Sequence, residues 1–308
     1  MASLLLCLFT GPRSEGRHTV EQLARCALDA GHEVGVFLGG DATAHADALQ
    51  PLRASGARVV SCSADAALRG WDRPGTAGRG SFVDLGSMAA EADAMLCLGC
   101  TASLDGRVVA RHGPAEERGW LAVRLATALT LTGRSVRVML EGAGAGWAVP
   151  VDARAWMGAD PGADVDGLVG DAGAALFVSA ATLATHGLDA TATRAAVQVV
   201  DDAWAACAPA PPPVAALHVV TGELTDALVV HAIAADAHDG VEVRTLGLHD
   251  GVYETTVLAR ALGDQGLAHV RVGAEDCRRR GVAPPAGRAD EYPAIVDALL
   301  AASTSFAW

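Results

Sequence analysis

Three stretches of this chain repeat one pattern, and the repetition limits the fold more than any other feature. The first runs Val59-Val60-Ser61-Cys62-Ser63-Ala64-Asp65-Ala66-Ala67-Leu68-Arg69-Gly70-Trp71, the second from Leu176 to Leu188, and the third from Val270 to Val282. Each combines an apolar strand, a helix of about two turns and a glycine stop. Eight residues before that glycine stand Cys62, Ser179 and Gly273. A second landmark, a glycine leading into a strand, recurs at Gly31, Gly133 and Gly240, spaced by 102 and 107 residues. Three homologous units therefore fill the 308 residues.

Within each unit strands alternate with helices, which calls for parallel neighbours joined by crossovers and helices on both faces of a sheet. The first unit, 1–104, has strands at Ser3–Thr10, Glu33–Leu38, Val59-Val60 and Ala94–Leu98, with helices at Thr19–Ala30, near Thr43–Gln50 and near Ser87–Ala92. The second, 105–207, opens at Arg107–Ala110. It has a helix near Glu116–Leu131, a strand at Val136–Leu140, a glycine-rich loop at Gly142–Gly146, and a helix around Asp201–Cys207. The segment 208–213 is too proline-rich for a helix or a central strand and reads as a linker. The third unit, 214–308, starts at Leu217-His218-Val219-Val220, turns at His249–Tyr253 and closes with a helix near Pro293–Ala302. The expected fold class is α/β, with three tandem units, each a mostly parallel sheet flanked by helices.

In such sheets sites gather at the carboxyl ends of the strands, which is where Cys62 falls. A cysteine at a helix N-terminus meets unpaired N–H groups and the positive end of the dipole, both of which favour thiolate. Ser61 and Ser63 are small enough to leave the sulfur accessible, and Arg69, two turns on, can add positive potential. The competing reading is a buried cysteine that packs as a small hydrophobe.

The ordered motifs resemble the DsrE/DsrF/DsrH (TusD/TusC/TusB-like) sulfur-relay family, with three units fused in one chain. Ser61 to Gly70 and Asp84 to Asp93 are similar to the DsrE type, and Ser179 to Leu188 to the DsrF type. Leu217 to Val220, Asp250 to Tyr253, Arg280 to Val282 and Trp308 are similar to the DsrH type. The resemblance implies a cytoplasmic persulfide carrier with Cys62 as the carrier cysteine, a sulfur-donor protein and a sulfur-acceptor protein as partners, and no metal or organic cofactor. Ser179 and Gly273 lack the sulfur, which leaves the other two units structural or docking roles. Two chains are expected to pair as a homodimer, with Trp147, Trp156 or Trp308 as anchors. The alternative is a non-catalytic scaffold or small-molecule-binding protein of the same fold.

Other features narrow the choice. The net charge of −13 argues against direct nucleic-acid binding and against anionic membranes. Leu4–Phe9 lacks the basic flank and cleavage site of a signal peptide, and no run is long enough to span a bilayer. Seven scattered cysteines suit a reducing cytoplasm. Gly11–His18 nearly fits a phosphate loop, but Arg17, His18 and Glu15 depart from it, so an ordinary turn is preferred. Cys97-Leu98-Gly99-Cys100 has no second cysteine pair to complete a zinc site and reads as structural. The ten histidines lack metalloprotease spacing. Cys277, beside Arg278, Arg279 and Arg280, reads as a surface cysteine with some chance of reactivity.

Overall fold

The structure, a computed structural model, describes residues 1–71, 78–150, 160–222, 227–262 and 269–308. Within them the chain forms three five-stranded sheets with helices packed on their faces. The first sheet contains β1 (Ser3–Leu8), β2 (Glu33–Leu38), β3 (Arg58–Cys62), β4 (Gly78–Gly80) and β5 (Ala94–Leu98), in the order β4-β3-β2-β1-β5, all parallel. The second contains β6 (Thr101–Ala102), β7 (Arg107–Ala110), β8 (Arg137–Leu140), β9 (Ala175–Ser179) and β10 (Val197–Val200), in the order β10-β9-β8-β7-β6. The third contains β11 (Ala215–Val220), β12 (Glu242–Gly247), β13 (Val270–Gly273), β14 (Ala289–Asp290) and β15 (Thr304–Ala307), in the order β14-β13-β12-β11-β15.

The second sheet differs at one edge. β5 and β15 return beside the first strand of their own sheets. In the second sheet that place belongs to β6, which precedes β7 in sequence and runs antiparallel to it. The two residues Thr101 and Ala102 thus join the second sheet, directly after the chain leaves the first.

The repeated glycines are explained by backbone geometry. Gly70, Gly187 and Gly281 end the short helices with φ of 66°, 65° and 64°, and Gly31, Gly133 and Gly240 close longer helical segments at 80°, 74° and 80°. A side chain in this left-handed region costs roughly 1–2 kcal/mol, so glycine is the natural stop. Three expected details change. The helix near Thr43–Gln50 is a 3₁₀ turn at Gly40–His45 followed by a short α-helix at Gln50–Ala54. The expected loop at Gly142–Gly146 lies inside a 3₁₀ helix, Gly142–Ala148, and the turn at His249–Tyr253 is a third 3₁₀ helix, His249–Glu254. All three begin on a residue with positive φ (Gly40 56°, Gly142 54°, His249 50°), which turns the chain sharply off the end of the second strand.

With 4% aromatics the core is aliphatic. Leu4, Leu6 and Leu8 of β1 face one side of the first sheet, and Leu5 and Cys7 the other, all shielded from solvent. Each such leucine contributes about 1.5–3 kcal/mol relative to exposure. The apolar clusters cross the units: one joins the first and second, another the first and third, a third the second and third. Helix pairs make the same connections. Phe82–Glu91 packs on Glu117–Thr130, Ala203–Ala206 on Ala227–His238, and Tyr292–Ala301 on Gly16–Asp29. The edge strands β5, β6 and β15 meet at the centre, where Ser305 Oγ donates to Met95 O at 2.5 Å and Thr101 Oγ1 to Ala307 O at 2.9 Å. The chain is therefore a closed ring of three units, each placing its first long helix on the last helix of a neighbour. No helix among the described residues is long and apolar enough to cross a membrane.

Candidate functional site

Cys62 is the last residue of β3 and the N-cap of the helix Ser63–Leu68, with the extended φ/ψ of −61°/113° that a cap requires. Ser179 and Gly273 cap Ala180–Thr185 and Ala274–Arg280 in the same way, so the alignment of the three repeats holds in space. Ser179 does so through its hydroxyl, which accepts from Thr182 N at 2.9 Å.

The environment of the sulfur differs from expectation. Cys62 is only 1% exposed and belongs to the apolar cluster that contains Phe37, Val60 and Phe82. Its neighbours do not open a path to it. Ser61 precedes it in β3 and therefore faces the other side of the sheet, while Ser63 Oγ donates to Gly80 O at 3.1 Å. Burial pushes the thiol above its ordinary pKa and the carboxylate of Asp65 adds to the effect, while the Asp65 backbone N–H and Arg124 pull the other way. The expected exposed, low-pKa thiolate is thus corrected to a shielded thiol. Two turns of helix do not offset the loss of water.

The cation at the sulfur is also a different one. Arg124 reaches in from the second unit, on the helix Glu117–Thr130. Its Nη1 donates to Asp65 Oδ1 at 2.6 Å and its Nη2 to Cys62 Sγ at 3.4 Å. The guanidinium carbon lies 4.0 Å from the Phe82 ring centre and 4.4 Å from that of Trp120, so aromatic faces hold the group in place. Asp65 is fully buried, and its other oxygen accepts from Gly40 N at 2.7 Å. Arg69, expected to supply the potential, instead donates to Asp41 at 2.9 Å, to Glu117, and to Asp65 O at 3.2 Å. It ties the end of the short helix to its surroundings. Sequence reasoning missed Arg124 because the contact spans two units. The available signal was a single arginine inside the otherwise apolar run 120–126.

Cys97, Cys100 and Cys277 are structural in placement. Cys97 lies opposite Cys7 on adjacent strands, and contact with Cys7 together with burial pushes its thiol well up. Burial likewise pushes the Cys100 thiol up. Cys277 was expected at the surface but is 1% exposed, packed with Val252 and Val272. The three arginines after it bind carboxylates instead: Arg278 bonds Glu291, Arg279 lies 3.8 Å from Glu15, and Arg280 bonds Asp250 and Glu15. Gly11–His18 is no phosphate cradle, since Glu15 pairs with Arg280 and His18 with Glu275 across to the third unit.

No protein-family model and no curated protein matches the chain. Solved structures overlap it only loosely. A truncated 3-deoxy-D-arabino-heptulosonate 7-phosphate synthase from Thermotoga maritima is 11% identical, with a TM-score of 0.24, over 97% of this chain and 84% of that one. CalG4, a calicheamicin glycosyltransferase, is 12% identical, with a TM-score of 0.25, over 98% and 90%. MurG from Acinetobacter baumannii is 14% identical, with a TM-score of 0.21, over 96% and 71%. Overlaps this weak carry no conclusion about fold or activity. The resemblance to the DsrE/DsrF/DsrH family and the sulfurtransferase label that came with it are withdrawn, because no family model matches the chain. The short motifs behind that resemblance encode a strand, a helix cap and a glycine stop, which any repeated α/β unit of this kind requires.

Proposed function

We propose that the interface between the first and second units is a thiol site, in which Cys62 holds a small group on its sulfur. The observation that carries this reading is Arg124, which contacts the Cys62 sulfur and is itself anchored by Asp65. A guanidinium fixed beside a sulfur stabilises the anion that attacks or leaves in exchange chemistry. Sulfane sulfur is the group to test first. The Cys62 thiolate would attack the outer sulfur of a persulfide, forming Cys62–S–SH while the donor leaves as a thiolate. Burial keeps the resting thiol protonated, so deprotonation requires the site to open. A donor and an acceptor protein, a cytoplasmic setting and pairing of two chains belong to the same reading. The seven cysteines without a disulfide suit a reducing compartment. Exposed Val83 and Leu131, on the packed helices at this interface, offer apolar contact for pairing.

A second reading, a non-catalytic binding scaffold, is favoured by the 1% exposure of Cys62. Incubation with inorganic polysulfide followed by intact-mass measurement separates the two. The thiol site predicts a gain of one sulfur mass, reversed by a thiol reductant, lost in Cys62→Ser and much reduced in Arg124→Ala. A wild-type mass that stays unchanged leaves the scaffold.

A further inference from the structure

We propose that the interface between the third and first units is a divalent-metal site built from Glu15, His249 and Asp276. Each of the three offers one donor atom, and the donor atoms lie within 4.8 Å of one another. Two equivalent positions in the ring differ in how they satisfy a buried aspartate. Asp276 stands three residues after the cap Gly273, as Asp65 stands three after Cys62. One oxygen of each accepts from the first residue of a 3₁₀ helix: Asp276 Oδ1 from His249 N at 2.9 Å, and Asp65 Oδ2 from Gly40 N at 2.7 Å. The other oxygen of Asp65 holds the Arg124 guanidinium. The other oxygen of Asp276, Oδ2, is buried and has no hydrogen-bond partner among the described residues, and the residue is 2% exposed. A buried carboxylate oxygen without a partner is costly, and a cation removes that cost.

The neighbouring helix brings metal-binding chemistry to this position in place of an arginine. From the first unit come Glu15 and Thr19, whose hydroxyl lies 2.6 Å from His249 Nε2. A hydrogen-bond acceptor on the second ring nitrogen is the usual way a ligating histidine is oriented, and the Thr19 hydroxyl can serve as one. His249 is also the one non-glycine residue with positive φ among those described, where the sister helices begin with Gly40 and Gly142. An imidazole kept at a position that sterically prefers glycine points to a use for the ring. Arg280 does not close the site. It takes Glu15 Oε2 at 2.6 Å and approaches Asp276 Oδ1 at 3.7 Å, while Arg279 lies 3.8 Å from Glu15 Oε1, so Asp276 Oδ2 is the oxygen left without a partner. Glu15, Asp250 and Asp276 face Arg280 and the more exposed Arg279, and Arg13 lines the same pocket, so an ion would compete with these guanidinium groups for the carboxylates. A pocket of 400 Å³ lined by Arg13, Glu15, His249, Asp250 and Arg280 opens beside two of the three donors.

Two carboxylates and one imidazole suit a first-row divalent ion such as Mn²⁺ or Zn²⁺. This site departs from the sequence-based expectation of no metal and does not depend on the role of Cys62. The test is Mn²⁺ titration of the full chain, with free Mn²⁺ read by electron paramagnetic resonance, because thiolates compete poorly for Mn²⁺. One ion per chain is expected. His249→Gly removes the ligand while relieving the backbone, so it should stay folded and bind at least about tenfold more weakly. Asp276→Asn, which keeps an acceptor for His249 N, should do the same. Wild-type protein that leaves all Mn²⁺ free, or binding that both variants retain, would overturn the proposal.

Discussion

The reactivity of Cys62 depends on two opposed influences a few ångströms apart. Burial and Asp65 raise its pKa, whereas Arg124 lowers it. Removing Arg124 should therefore move the pH midpoint of alkylation upward, while any gain in access changes the plateau rate instead. Arg124→Lys should fall between the two, since a lysine keeps the charge but loses the paired contact with Asp65 and Cys62. Iodoacetamide rates measured across pH with peptide mapping check this, and equal midpoints in wild type and Arg124→Ala would remove Arg124 from the site. In wild type near neutral pH, half-buried Cys26 should label before Cys62. The position of Cys62 was legible in the sequence, because a strand, a small cap and a glycine stop are local signals. Its burial was not, because Phe82 and the helix carrying Arg124 reach it only through tertiary packing. Cys277 failed for the same reason: three charged neighbours in sequence say nothing about which way a single side chain on a helix points.

Glycine performs two separate tasks in the repeated elements, and substitutions distinguish them. Gly70 ends a short helix at φ 66° with nothing within 4 Å of an added Cβ. Gly70→Ala should cost only the left-handed backbone preference, about 1–2 kcal/mol. Gly144, within Gly142–Ala148, is different: an added Cβ would lie 1.8 Å from the backbone oxygen of Ala110 at the end of β7. Either the 3₁₀ helix or the strand end must move, so Gly144→Ala should cost on the order of 3 kcal/mol or more. Urea unfolding midpoints for the two variants give the comparison, and equal losses would mean that the close approach is relieved at no cost. The difference also shows what composition can conceal. Gly142–Gly146 reads as a loop, yet its glycines permit close packing of a defined turn against the sheet. The alternation of strands and helices, by contrast, was accessible from periodicity, and all three sheets follow it except where β6 fills an edge.

At the scale of the whole molecule the ring depends on its junctions, and the one between the second and third units contains the chain's most deeply buried histidine cluster. His218 is fully shielded, accepts from Trp308 Nε1 at 3.0 Å through Nδ1, and faces Asp236 Oδ2 at 3.2 Å through Nε2. Trp204 Nε1 donates to Asp236 Oδ1 at 2.9 Å, and Arg107 lies 3.5 Å from the same oxygen while pairing with Asp105 and stacking on Trp204 and Phe306. Trp147 is likewise buried, donating to His112 O at 2.9 Å, so it cannot anchor a second chain, whereas Trp308 packs against this cluster and stays partly exposed. Trp156 lies outside the described residues. Burial lowers the His218 pKa below its usual value of 6.5, with Arg107 helping and Asp236 opposing. A proton then binds the unfolded chain more readily than the folded one, so stability from this group is complete above the ordinary histidine range and declines as pH falls through it. Protonation would also strip the Trp308 hydrogen bond of its acceptor, loosening the last strand where the three sheet edges meet. Asp236 acts in the same direction at lower pH: His218, Arg107 and Trp204 outweigh burial and hold its pKa down, so its contribution fades below the usual 3.8. The melting temperature should therefore fall between pH 7.5 and 5.5 and again under stronger acid. His218→Gln, which does not titrate, should flatten the first step while leaving the second. A variant whose melting temperature follows wild type across the first step would assign that step to other groups and remove His218 as the acid-sensitive point of the ring.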